Sequence, residues 1–450
     1  MDNNENNSRR DFIKKAALGT LGFSLMGMGM SARSYGRILG ANDRVQVGIV
    51  GFSNRFKHSL YPAFVSHSKE LNFEFVSVSD IWNRRRDEAE AFIREKSGGK
   101  IKKYRNNDEL YASKNLDAVI ISTADFQHAL MGVEAVRNGK DAYIEKPLAE
   151  TMEDARAVLK AVEESGKIVQ IGSQRRSAPN YISANEYIKS GKFGDIKMVE
   201  MSWNVNQPGR WRLPKLVSEI RQEDTDWDRF LMNRPKVAWD PRKYLEYRLF
   251  WPYSSGIPGQ WMSHQIDTVH WFTDLEHPRS VVANGGTYLW QDGRENPDTL
   301  TAVFDYGPLN DPKKGFQVVY TSRFTNSAGG VRELYYSNGG MLNLDTNRVT
   351  SEGGLTQSMA DEMGMKANLL ADYTLPTRSE KVSTDANTGG DPMTSLHMRN
   401  WMECVRSRKT PNASVRAGYN HSLATIMTRI ALQTGKRVTF DDAKQEVVVS

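Results

Sequence analysis

From residue 45 to residue 173, short apolar runs alternate with longer mixed stretches. The runs are "VQVGIV" (45–50), "FEFVSVSD" (73–80), "LDAVIISTA" (116–124), "DAYIEKP" (141–147) and "IVQIGS" (168–173). Runs this short, rich in Val and Ile, read as buried parallel strands. The stretches between them, "LYPAFVSHSKEL", "IWNRRRDEAEAFIREKSG", "HALMGVEAVRNGK" and "MEDARAVLKAVEESGK", read as helices, the second closing on a glycine. Strands alternating with helices predict βαβ units and a parallel sheet with right-handed crossovers, in which a ligand sits at the carboxyl ends of the strands. Beyond Gly172 the pattern changes. "IKMVEMSWNV", "PRSVVANGGTYLW", "DTLTAVFDY" and "GFQVVYTSRFT" follow one another with little helix between them, and "SLHMRNWMECVRSRK" and "NHSLATIMTRIALQTGK" read as closing helices. This predicts an α+β domain on a large, mainly antiparallel open sheet. The expected segments are 1–41 ahead of the first strand, 42–168 as a nucleotide-binding α/β domain, and 169–450 as the α+β domain.

Composition narrows the function classes. A chain of 450 residues exceeds the roughly 250–300 at which single cores stop growing, in keeping with two domains. Half of the formal +6 charge lies in residues 1–41, the remainder is nearly balanced, and no basic run is interleaved with aromatics, so nucleic acid is not an expected partner. One cysteine, Cys404, excludes an intrachain disulfide framework and a cysteine-based zinc cluster.

The turn after the first strand, "GFSNRF", carries the first candidate chemistry. A dinucleotide fingerprint places glycines for the tight turn, for approach of the pyrophosphate and for helix packing. Those positions are Gly51, Ser53 and Phe56. Ser53 still lets the backbone approach and Asn54 adds donors, whereas Phe56 is expected to push the helix off the strand. Asp80, ending the second strand, is placed to accept the ribose hydroxyls of NAD or to cap the following helix. Arg84 and Arg85 close behind leave NADP open. The fourth run ends in Glu145-Lys146-Pro147, which puts an amine at the sheet's carboxyl edge. To take up a proton during hydride transfer, Lys146 needs a pKa well below its usual ~10.4, which burial would supply.

The amino terminus, "SRRDFIKKAALGTLGFSLMGMGM", resembles a twin-arginine export signal. Its apolar run, Ala16 to Met30, has 15 residues and four glycines, short of the ~20 needed to span a bilayer. No stable membrane insertion after processing is therefore expected; Ala32 and Ala41 both fit a cleavage site. The resemblance implies the twin-arginine machinery as a partner and a periplasmic or exported location. An exported enzyme has no free nicotinamide nucleotide pool to draw on, so a tightly bound cofactor is expected.

"AVIISTADFQHALMGVEAVRNGKDAY", "IEKPLAETMEDARAV" and "VQIGSQRRSAPNYISANEYIKSGKFGDI", followed by "DWDRFLMNRP", "SHQIDTVHWF" and "NWMECVRSRKTPN", closely resemble the glucose–fructose oxidoreductase/inositol dehydrogenase/MocA family. The resemblance implies a Rossmann domain binding NAD, with NADP open, and a C-terminal sheet that forms a homo-oligomer interface. It implies that Lys146, after Glu145, contacts cofactor and substrate across a Lys–Pro bond that is often cis. It also implies that Thr123 and His128 bind the nucleotide and that Arg175 approaches the nicotinamide end. The family's second catalytic element is an Asp four residues before a His. His264 matches the His, but Gln260 stands where the Asp belongs. Gln can position a hydroxyl but takes no proton, so His264 is expected to act as base alone or with Lys146. His264 and Asp267, at i and i+3, also have metal-ligand spacing, but capping and packing explain them equally and no metal is expected.

Three readings of function are open. One is hydride transfer between the cofactor and a secondary alcohol of a sugar or polyol. Another is a redox-neutral glycosidase or lyase working through a transient 3-keto sugar, with Tyr181 and Tyr244 as candidates for a second acid/base. The third is a non-catalytic sugar-binding protein. Ten tryptophans and seventeen tyrosines suit sugar platforms, and Trp211 and Trp261, nearest the matched motifs, are the candidates for contact with a sugar or glycoside.

Overall fold

A computed structural model describes residues 43–207, 209–311, 313–376 and 391–450; the segment that resembles a twin-arginine signal, with the expected cleavage positions Ala32 and Ala41, lies outside the described residues. The apolar runs pair as β1 (Val45–Val50), β2 (Phe73–Ser79), β4 (Ala118–Ile121), β5 (Asp141–Ile144) and β6 (Val169–Ile171), with a short β3 (Lys102–Tyr104) on the edge. Their order is β3-β2-β1-β4-β5-β6 and every pairing is parallel. The parallel sheet takes in β6, three residues beyond the expected boundary of 168. Helices α1 (Tyr61–Leu71), α2 (Asn83–Ser97), α3 (His128–Arg137) and α4 (Met152–Ser165) join these strands. The α4 start follows from its sequence: the Thr151 side chain accepts from Asp154 N at 3.2 Å, and the helix ends at left-handed Gly166.

Phe56 does not push α1 away. Residues Phe56–Leu60 form a wide π-helical turn ahead of α1, and the Phe56 ring enters the core against Phe52 and Phe75. The extra residue in the turn makes the room that a glycine would otherwise supply.

After α5 (Pro179–Lys189) the chain builds a second sheet from β7 (Ile196–Asn204), β8 (Ser280–Gly286), β9 (Thr299–Tyr306), β10 (Phe316–Arg323), β11 (Val331–Ser337), β12 (Gly340–Asn343), β13 (Arg348–Thr350), β14 (Tyr373–Thr374), β15 (Val438–Asp441) and β16 (Glu446–Val449). Its order is β14-β13-β12-β11-β7-β10-β9-β8-β15-β16, antiparallel except where β10 meets β7. Alternation sets its faces: Leu300, Ala302, Phe304 and Tyr306 of β9 point inward, Thr301 and Asp305 outward. The inner face packs on α6 (Ser263–Thr273) and α8 (Val415–Thr434), while α7 (Pro392–Ser407) lies on α1. The fold is therefore a Rossmann-type parallel sheet followed by a mainly antiparallel ten-stranded sheet.

Between β7 and α6 runs an excursion with little regular structure. Short helices at Pro214–Glu219, Trp227–Leu231 and Pro241–Leu245 fold back over the first domain. They are tied to it by Arg84–Glu219 at 2.6 Å, Arg229–Glu134 at 2.8 Å, Arg234–Asp154 at 2.9 Å, and Gln127 Nε2 donating to the Phe230 carbonyl at 2.8 Å.

Candidate active site

A cavity of about 360 Å3 opens at the carboxyl ends of β1, β2, β4 and β5. Each strand delivers its following turn to the wall: Gly51 to Arg55 after β1, Asp80 to Trp82 after β2, Ser122 to Ala124 with His128 after β4, and Glu145 with Lys146 after β5. The roof comes from the excursion and the start of α6, with Arg210 to Leu213, Phe230, Tyr244 to Arg248, Gln260, Trp261 and His264. Of the expected residues, the structure brings Gly51, Ser53, Asn54, Asp80, Thr123, His128, Glu145, Lys146, Trp211, Tyr244, Gln260, Trp261 and His264 to this one cavity; Arg175 and Tyr181 are not on its wall.

The floor fits a dinucleotide. Gly51 has φ +83°, and a Cβ there would stand 2.6 Å from Thr123 Cγ2 and 3.2 Å from the Ser122 carbonyl, so only glycine makes this turn without strain. Ser53 Oγ accepts from Phe56 N at 3.1 Å and donates to Ser122 Oγ at 3.2 Å, which fixes the turn while leaving its mouth open. His128 donates through Nδ1–H to the Pro147 carbonyl (2.8 Å), and its Nε2 is buried with no hydrogen-bond partner in the described structure. Asp80 accepts from Phe52 N and Trp82 N, each at 2.9 Å, one on each oxygen, and each oxygen keeps a second lone pair for a ribose hydroxyl. Asp80 thus braces the turn while facing the cavity; it does not cap α2 as the alternative expected, the N-cap being Trp82 with no side-chain cap hydrogen bond. Arg84 is engaged by Glu88 and Glu219, and Arg85 by Glu88.

Lys146 is the chemical centre of the cavity. The Lys146–Pro147 bond is cis, and Nζ donates to the main-chain carbonyl of Gln260 at 2.5 Å. Burial pulls its pKa down to about 7, against the opposing pull of Glu145 and Asp125. Gly259 allows this approach, since a Cβ there would meet Pro147 Cγ at 3.1 Å and Glu150 Oε1 at 2.8 Å. Gln260 itself rides on a second π-helical turn, Pro258–Met262, leading into α6.

Several expectations change in the structure. Glu145 lies on the wall, but Arg55 Nε holds its Oε1 at 2.9 Å; burial opposes its charge, yet Arg55 and Lys146 keep its pKa below the usual range. It therefore holds the lysine's surroundings rather than reaching out to a ligand. His264 is pushed well below its ordinary pKa by burial, with Lys146 and Arg175 adding to the effect. A histidine held neutral so strongly is a poor base at neutral pH, against the expectation that it acts as one. Arg175 turns into the second domain, where it pairs with Glu333 at 2.6 Å and supports the His264 carbonyl at 3.3 Å; its neighbour Gln174 lines the cavity instead. Tyr181 donates to the same Glu333 at 3.1 Å. Tyr244 stands on the cavity wall edge-on to Trp82 at 6.3 Å, within reach of the Asp80 charge. Trp261 is buried, stacked on Trp203 at 5.7 Å and edge-on to Phe324 at 4.5 Å, so it is mainly core. Trp211 is half-buried, with φ +65°, a conformation rarely adopted by an aromatic residue. Asp267 accepts from Arg176 at 2.8 and 3.0 Å, and no group of three His, Cys, Asp or Glu side chains placed to hold a metal ion occurs among the described residues.

Two further wall residues belong to no motif recognisable in the sequence. Tyr247 contacts the Thr123 carbonyl at 3.5 Å, and Arg248 lies over its ring at 4.6 Å. Their one local signal is a position just before "FWPYSSG", ahead of the Gln260 turn.

Residues 45–173 match the family model described as "Oxidoreductase family, NAD-binding Rossmann fold". Over these residues the chain is similar to the glucose–fructose oxidoreductase/inositol dehydrogenase/MocA group. An inositol 2-dehydrogenase of Rubrobacter xylanophilus is 31% identical over 179 residues, 38% of this chain and 47% of that protein. A scyllo-inositol 2-dehydrogenase (NAD(+)) of Bacillus subtilis is 38% identical over 86 residues, 19% of this chain and 25% of that protein. The chain thus spans about half or less of the length of these relatives. Among solved structures, the WlbA dehydrogenase of Bordetella pertussis, in complex with NADH and UDP-GlcNAcA, aligns with TM-score 0.62 at 17% identity over 88% of this chain and 98% of that one. A levoglucosan dehydrogenase in complex with NADH and levoglucosan aligns with TM-score 0.62 at 14% identity over 88% and 99%. At these identities the structures establish the fold alone.

Proposed function

We propose that the protein is an NAD-dependent oxidoreductase that moves hydride between a tightly held nicotinamide cofactor and a secondary alcohol of a sugar or polyol. The observation that carries this is Lys146: a partly buried amine on the cavity wall at the carboxyl edge of the parallel sheet, bonded to the Gln260 carbonyl beside His264, with its pKa lowered to about 7. Gly51, Ser53, Asp80, Thr123 and His128 would hold the nucleotide. When bound, it supplies the acceptor or donor of hydride. Neutral Lys146 takes the proton of the reacting hydroxyl, and Lys146 in its ammonium form returns it in the reverse direction. Gln260 orients a hydroxyl, and Trp211 offers a ring face to the sugar. Asp80 between two N–H donors, with Arg84 and Arg85 already paired, supports NAD over NADP. The ion pairs that tie the excursion over the cavity support retention of the cofactor. Retention in turn supports the exported location proposed from the twin-arginine-like segment, and the polar outward face of the ten-stranded sheet is where a homo-oligomer is proposed to form.

The test is to denature freshly purified protein, identify released nucleotide by absorbance and mass spectrometry, and then screen sugars, polyols and glycosides with no nucleotide added. Near-stoichiometric NAD(H), with a keto product from a free sugar or polyol, is the expected result. Release of a free sugar from a glycoside with no net change in the nucleotide would replace this reading with the redox-neutral glycosidase. Protein that carries no nucleotide and fails to bind any would leave sugar binding alone.

A further inference from the structure

Asp125, directly after β4 in "TADFQH", is fully buried (0% exposed) and is not itself on the cavity wall. Its Oδ2 accepts from Gln260 Nε2 at 2.6 Å and from Ser254 Oγ at 2.5 Å. Its Oδ1 has no hydrogen bond; the nearest cation is Arg248 Nε, 4.0 Å away and likewise without one. Three elements therefore converge on one carboxylate: the β4 turn that carries it, the end of the excursion that carries Arg248 and Ser254, and the π-helical turn that carries Gln260.

We infer that Asp125 is a positioning residue of the active site, which fixes the orientation of the Gln260 amide and supplies from behind it the negative charge that position 260 lacks. The inference rests on the oxidoreductase reading for the word active, but its geometry does not. An ionised carboxylate only accepts hydrogen bonds, so Gln260 can face Asp125 only through its NH2 end. The carbonyl Oε1 is then the end left for the cavity, where it accepts from a substrate hydroxyl. An isolated amide would turn either end to the substrate; this one cannot.

The same charge bears on the lysine. Lys146 is faced by Glu145 from β5, Asp125 from the β4 turn, Arg248 from the excursion, Arg55 from the β1 turn and His264 from α6. Asp125 is one of two carboxylates that raise its pKa against burial, and Glu145 is already committed to Arg55. A contact that served packing alone would be met equally by Asn, which offers an oxygen to Gln260 and Ser254 without the charge.

The experiment follows the titration of Lys146 in resting protein carrying 13C at the lysine ε position, by NMR, with no sugar present; the Lys146 signal is assigned by its loss in Lys146→Met. Asp125→Asn is nearly isosteric and keeps an acceptor for Gln260 and Ser254. It should lower the Lys146 midpoint by about one pH unit, as expected for loss of an opposite charge that raises it. The double variant Asp125→Asn/Gln260→Asp, which returns one carboxylate and one amide in exchanged places, should bring the midpoint back to within a few tenths of the original. A midpoint unmoved in Asp125→Asn overturns the inference, as does a double variant that titrates like the single one. If the single variant does not fold, the double variant decides alone: a midpoint near the original supports the inference and one a unit lower overturns it. Absence of turnover with any sugar would count against the functional reading and leave this measurement standing.

Discussion

Replacing Lys146 by methionine should make the protein more stable, and by an amount that depends on pH in a specified way. The lysine is partly buried, and the desolvation of its amine lowers its pKa from 10.5 to about 7 in the folded state. Between those values the unfolded chain binds a proton that the folded chain does not, so stability rises with pH across the window from about 7 to 10.5. At 1.36 kcal/mol for each pH unit between the two values, the folded state at pH 7 and below carries a penalty of about 4–5 kcal/mol. Methionine matches the length of the stem, removes the charge and forfeits the bond to the Gln260 carbonyl, worth about 1 kcal/mol. The net expectation is a gain of about 3–4 kcal/mol at pH 6–7, shrinking by about 1.4 kcal/mol per pH unit above 7 and reversing to a small loss by pH 10. Urea unfolding of both proteins at matched nucleotide content, at pH 6, 7, 8, 9 and 10, measures it. A difference that stays constant from pH 6 to 10 would refute the reasoning, because it would mean that Lys146 titrates as an ordinary surface lysine. The same substitution should abolish turnover, so stability and activity should move in opposite directions at one residue.

Other substitutions probe the frame around this lysine. Gly51→Ala puts a Cβ 2.6 Å from Thr123 Cγ2 at φ +83°; it should cost about 1–3 kcal/mol and loosen nucleotide retention, read by denaturant unfolding and by nucleotide released on dialysis. Arg55→Ala leaves buried Glu145 unpaired and should cost about 3–5 kcal/mol at neutral pH. Because Arg55 holds the Glu145 pKa below its usual 4.5 in the folded state, that loss should be present above pH 4.5 and shrink as pH falls through the folded pKa, as acid-range unfolding curves would show. Trp211→Ala should raise the sugar KM with nucleotide content unchanged, whereas Tyr244→Ala, beside Trp82 and Asp80, should lower nucleotide retention and leave the choice of sugar alone. Steady-state kinetics and nucleotide content separate the two.

The parallel sheet is legible in the sequence because each of its longer strands is a Val- and Ile-rich run that can be buried on both faces only in a covered sheet. The strand ends then place Gly51, Asp80, Thr123 and Lys146 at one edge, since that edge is where such sheets bind ligands. Strand β3 has three residues, too few for a period to register, and β11 to β14 carry polar and turn residues that blur alternation. Arg175 and Tyr181 depart from expectation for a different reason. They follow β6 on a turn and a helix, and their direction depends on Glu333, more than 150 positions further on. No local pattern reports a partner that distant. Charge environment is equally hidden: residue type alone assigns His264 the reference pKa of histidine, and only burial beside Lys146 and Arg175 reveals that it is held neutral.

The excursion between β7 and α6 is the least legible segment, and it finishes the site. Its helices have five or six residues, so they carry no amphipathic period and are not stable alone. They persist by packing Trp227, Phe230, Leu231, Leu249, Phe250 and Tyr253 against Ala124 and Phe126 of the β4 turn. Ser254 then reaches Asp125, and one π-helical turn later Gln260 reaches it too. The chain thus closes a roof over the cavity with residues that take their shape from the floor. The shape of the roof and that of the cavity wall are thus set by the same contacts, and the segment around Gln260, where an Asp was expected, still meets a carboxylate: Asp125 supplies it from the floor and the roof supplies the amide that bonds to it.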